Sequence, residues 1–156
     1  MLILFVLAGL NISLFSQLKS PYAFLSNRFG YEFTPHESLV DYVKYVAANS
    51  PQVKLLEYGR STENRPLLLT FISTSENLAN LEQIRLNNQR RAGIFPGKTD
   101  ARWDNLSIVW LSFGVHGNEA SCSETAMVTL FELANASDEK IKNQLKNTLI
   151  ILDPSL

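Results

Sequence analysis

The sequence predicts an α/β protein: a three-layer α/β/α domain built on a mixed, mostly buried sheet. Two observations carry this. Helical and extended patterns alternate in the order α-β-β-α-β-α-β. The strands near Leu67, Ile108 and Ile150 are apolar on both faces, as a sheet covered by helices on both sides requires. The length of 156 residues fits one domain, at the usual ~150 residues each.

The first segment stands apart. Residues 1–15 are apolar except for Asn11 and Ser13, a run shorter than the ~20 residues of a spanning helix. A signal peptide over residues 1–17 is expected, processed around Ser16–Leu18, giving a secreted or periplasmic product with no stable membrane insertion. An uncleaved anchor and a plain buried segment are the alternatives. Residues 18–156 then form the folded part.

Thr34-Pro35-His36-Glu37 reads as a capping box with proline in the first helical position. Leu39, Val40, Val43, Val46 and Ala47 follow at helical spacing, and Asn49-Ser50-Pro51 ends the helix. Val53–Tyr58 reads as a half-exposed strand, Gly59–Pro66 as a turn rich in breakers, and Leu67–Ile72 as a continuous apolar strand. A helix is expected over Asn77–Arg91, a connector over Ala92–Asn105, and a strand over Leu106–Phe113. Glu119–Ala136 and Asp138–Lys146 read as helices, and Thr148–Leu152 as a final buried strand. Leu152-Asp153-Pro154-Ser155-Leu156 leaves that strand and stops, with nothing to cover the sheet's next edge, so a truncated domain is expected.

Charge excludes some functions. Fourteen Lys+Arg against fifteen Asp+Glu give a net −1, which argues against a broad basic footprint for nucleic acid. One cysteine, Cys122, forms no intramolecular disulfide and no cysteine-based zinc cluster; it reads as a small buried residue. Gly97-Lys98-Thr99 matches the end of a phosphate-binding loop, but a helix precedes it and no helical period follows, so it reads as a solvated connector. Asn105-Leu-Ser107 and Asn135-Ala-Ser137 are glycosylation-type tripeptides that arise often by chance.

The strongest chemical signal is Phe113-Gly114-Val115-His116-Gly117-Asn118-Glu119. His116 and Glu119 sit three apart, where a strand exits and a helix begins, and open α/β sheets gather their sites at the carboxyl ends of strands. An imidazole and a carboxylate on such a turn can converge on one zinc ion. Spacing alone leaves open a histidine in a glycine-rich turn, with Glu119 placed favourably at the following helix start. His36 reads as a surface residue of its helix start, and Arg60 and Arg65 as charges bracing a turn. Glu124 has no helical offset that marks it as a base.

In order along the chain, Tyr31-Glu-Phe-Thr-Pro-His-Glu37, Ser50-Pro51, Gly59-Arg-Ser61-Thr-Glu63-Asn-Arg65, His116-Gly-Asn-Glu119 and the closing Leu152-Asp-Pro-Ser-Leu156 resemble the zinc metallocarboxypeptidases, the carboxypeptidase A-like family. The likeness runs from about Phe33 to the last residue. It implies the first part of an incomplete carboxypeptidase-like catalytic domain. Zn2+ would be held by His116 and Glu119, and the substrate would be a peptide or protein C-terminus. The family's third zinc ligand, general-base glutamate and substrate-carboxylate arginine would lie beyond Leu156. No catalytic or other cofactor-binding residue is therefore expected here, and the chain alone is expected to be inactive. Digestive members carry arginine where this chain has Asn118, which reads as a turn former or a weaker carbonyl donor. His-Gly-Asn-Glu also resembles aspartoacylase-like and succinylglutamate desuccinylase-like deacylases of N-acyl amino acids, the first alternative. A non-catalytic domain that keeps the fold is the second.

Overall fold

A computed structural model describes residues 17–26, 28–135 and 138–155. The expected signal peptide, apart from its last residue, lies outside the described residues, as do Ala136 and Ser137 of the second tripeptide. The elements are α1 (Pro21–Phe24), α2 (His36–Asn49), β1 (Val53–Arg60), β2 (Pro66–Ile72), α3 (Ser75–Ala79) and α4 (Leu81–Arg91). A 3-10 turn (Ala101–Trp103), β3 (Ser107–Ser112), α5 (Ala120–Asn135), α6 (Glu139–Lys146) and β4 (Thr148–Asp153) complete the order. The single helix expected over 77–91 is two helices, because Thr74 caps a first short one and Asn80 breaks the run.

The strands form one four-stranded mixed sheet in the order β1-β2-β4-β3. β1 and β2 are an antiparallel hairpin, β2 and β4 pair antiparallel, and β3 and β4 run parallel. The parallel pair needs a crossover, and α5 with α6 supplies it. Alternation along β4 puts Ile150 and Leu152 in a core with α2 and α5, and Leu149 in a second cluster with Leu78, Ile84 and Trp103. Helices thus flank both faces, as expected.

Two expectations are corrected. β4 is an interior strand, because the crossover returns it between β2 and β3 rather than outside them. β3 is therefore an edge strand among the described residues, and Val109 and Trp110 are exposed instead of buried on both faces. An apolar run is compatible with either position, and only topology decides.

The main core is set by α2 and α5. Tyr42, Val43 and Val46 from α2 and Met127 and Leu130 from α5 have no exposed surface, the helical spacing the sequence displays. Each such side chain contributes roughly 1.5–3 kcal/mol on burial. Polar ties hold the junction of α6 and β4. The buried Asn77 donates from Nδ2 to the carbonyls of Leu145 and Lys146, and the Ser73 hydroxyl donates to the Thr148 carbonyl at 2.7 Å. Burial pushes the Tyr42 phenol up in pKa, and its hydroxyl donates to the Lys19 carbonyl, fastening the segment before α1 onto α2.

Candidate metal centre

β3 ends at Ser112, and the chain leaves it through Gly114, whose φ of +71° is a left-handed conformation that glycine takes without strain. A second requirement acts at the same residue. A Cβ there would stand 3.2 Å from Ser155 Cα, so any other residue would push the turn after β4 back by a few tenths of an ångström. The Phe113 amide donates to the Asp153 carbonyl at 3.0 Å, which carries the β3–β4 pairing one residue past the strand.

The loop then places His116 and, immediately before α5, Glu119. The Glu119 amide donates to the His116 carbonyl at 3.0 Å, closing a tight turn. His116 Nδ1 lies 3.3 Å from Glu119 Oε1, and both side chains are more than half exposed. Nitrogen and oxygen donors on a tetrahedral zinc, each at ~2.0–2.1 Å, stand roughly 3.3 Å apart. The pair therefore fits as two ligands of such an ion. The same distance also serves a direct contact between imidazole and carboxylate. Among the described residues no third His, Cys, Asp or Glu joins them in a group able to hold a metal. The remaining carboxylate oxygen, Oε2, has the Cys122 thiol 3.8 Å away; Cys122 is half-buried, more accessible than the sequence suggests.

The pair opens onto a cleft of about 460 Å³. Its walls include Asn118 and Ser123 from the α5 side, Phe33 and His36 from the start of α2, Arg65 from the β1–β2 turn, and Ser155. Sequence reasoning missed this convergence of His36 and Arg65. His36 is not a plain surface residue: it is half-buried, and burial first, then the charge of Arg65, hold its pKa below the usual 6.5. No local signal announces this, since both residues reach the cleft only through tertiary packing. Arg65 does brace its turn, pairing with Glu63 at 2.9 Å, as Arg60 does with Glu57.

The helix start also differs from expectation. Pro35 occupies the cap position and α2 begins one residue later. The Thr34 hydroxyl donates to Glu124 Oε1 at 2.8 Å, while Glu124 Oε2 accepts from the Gly30 amide. Glu124 is thus a tether for the 30–34 segment, in keeping with its offset from the site.

The fold and the strand-exit His/Glu pair can be set beside known proteins. The zinc carboxypeptidase family profile matches residues 39–156, and the chain belongs to that family. Solved structures share the fold. Thrombin-activatable fibrinolysis inhibitor superposes with a TM-score of 0.56 at 13% identity, over 80% of this chain and 25% of that one. Carboxypeptidase A from Helicoverpa armigera gives 0.56 at 16% identity, over 80% and 24%. A metallo-carboxypeptidase from Burkholderia cenocepacia gives 0.50 at 18%, over 76% and 25%. The chain spans about a quarter of the length of these structures. No curated protein sequence matches it.

Proposed function

We propose that this chain carries the first two zinc ligands, His116 and Glu119, of a secreted or periplasmic metallocarboxypeptidase. The 3.3 Å separation of His116 Nδ1 and Glu119 Oε1 at the mouth of a cleft carries the reading. Zinc, when bound, supplies a Lewis acid and a water whose pKa falls to about 7. Glu119, at the start of α5, holds its negative charge where the helix dipole favours it. Asn118, on the cleft wall, offers an amide donor to a substrate carbonyl without an arginine's full charge. The substrate is a peptide C-terminus. The proton-accepting glutamate and the third ligand are assigned to no residue of this chain.

The test is elemental analysis of the protein purified with its metal. In a longer chain that supplies the rest of the family's catalytic domain, His116→Ala should lose stoichiometric zinc and the release of C-terminal amino acids together. One tightly bound zinc per chain in that variant overturns the assignment. Asn118 favours a second reading, hydrolysis of N-acyl amino acids. Parallel assays with a peptide and an N-acylated amino acid decide between the two.

A further inference from the structure

We propose that Asp153 and Tyr58 are positioning residues for the loop that carries His116, acting through the contact between Ser155 and Gly114. This rests on the reading of His116 and Glu119 as ligands. Asp153 ends β4, is 1% exposed, and takes part in no ion pair among the described residues. A carboxylate buried without a cation costs stability, so packing alone does not account for it.

Its oxygens are used in a specific way. Oδ2 accepts from the Tyr58 hydroxyl at 3.1 Å, and Oδ1 accepts from the Ser155 amide at 3.4 Å. Tyr58 is the extra residue of a β-bulge: Glu57 pairs with Leu68 and Gly59 with Leu67, leaving Tyr58 unmatched. Bulges re-aim side chains and cluster near active sites, and this one sends a phenol from the first strand of the sheet to the third. The carboxylate thereby fixes the turn that places Ser155 against Gly114, so close that an added Cβ would push Ser155 back by a few tenths of an ångström. The Asp153 carbonyl at the same time receives the Phe113 amide. One residue thus holds both sides of the exit from which the His116 loop departs. Burial also raises the Asp153 pKa, against the two hydrogen bonds that lower it.

Zinc affinity is measured by competition with a chromogenic chelator in the wild type, Asp153→Ala, Asp153→Asn and Tyr58→Phe, together with metal-free thermal unfolding. Amide hydrogen exchange of the metal-free proteins is the second readout. Asp153→Ala should weaken zinc ~10-fold or more, as losses of ligand-supporting partners do, and speed exchange at the Glu119 amide but not at Val46 or Leu130. Asp153→Asn should rescue both in part: its amide oxygen can accept from the Ser155 amide, while its amide nitrogen takes the place of the oxygen that accepted from Tyr58 and can only donate to that hydroxyl. Tyr58→Phe should give a smaller loss, and it carries the test if Asp153→Ala does not fold. Wild-type affinity and exchange in a folded variant would overturn the proposal, as would acceleration spread evenly over the core. Faster loop exchange, in a longer chain that supplies the family's third ligand and still binds no zinc at all, would leave the positioning role standing and sink the ligand reading.

Discussion

The two faces of the sheet are built to different standards. On one, α2 and α5 pack Tyr42, Val43, Val46, Met127 and Leu130 with no exposed surface. On the other, a smaller cluster of Leu78, Ile84, Trp103 and Leu149 covers β4 and the flank of β3, while Trp110 remains open. The candidate ligands straddle this difference. Glu119 immediately precedes α5, the well-anchored helix, and His116 hangs from the exit of β3, the least supported strand. A metal held by the pair would join the firm part of the molecule to the loose part.

Substitutions can break that comparison. Leu130→Ala should cost the most, about 3–5 kcal/mol from lost burial and a cavity in a tightly packed core. Ile84→Ala should cost about 2–3 kcal/mol, since the smaller cluster collapses more readily around the gap. Equal losses by chemical denaturation would mean the faces are equally well packed.

A pH effect comes next. With the folded pKa of His36 held below 6.5 by burial and by Arg65, the native state binds fewer protons than the unfolded one. Stability therefore falls as pH drops from 6.5 through the lowered value. His36→Gln should flatten that part of the curve while leaving stability above pH 7 nearly unchanged. An unaltered slope would show that His36 is not the group responsible.

Trp110→Thr should do least, within about 0.5 kcal/mol, because the ring is 61% exposed on an edge strand. A loss comparable to that of Ile84→Ala would mean that the outer part of β3 is covered after all.

Much of the fold was legible because its signals are local. The spacing of Val43 and Val46, the breakers from Gly59 to Pro66 and the His116–Glu119 turn are all read over a few residues. What failed was relational. Nothing in Leu106–Phe113 says that its strand lies at an edge, because β3 and β4 look equally apolar and their order depends on the crossover. His36 and Arg65 meet in the cleft only after α2 and the hairpin have docked. The Tyr58 bulge left one trace, a glycine inside a strand pattern at Gly59, which is too common to point to Asp153.

The strand order also has a consequence in time. β1 and β2 close through the short turn between Arg60 and Pro66 and can pair as soon as both exist. Among the described residues β3 pairs with β4 alone, and Thr148 lies roughly forty residues after its mate Ser107. At ~5–20 residues per second of synthesis, β3 waits for several seconds with Ile108, Val109, Trp110 and Leu111 unmatched. The strand that delivers His116 is thus made before its neighbour and docked after it. This interval is when a nascent chain most needs shelter from its own kind.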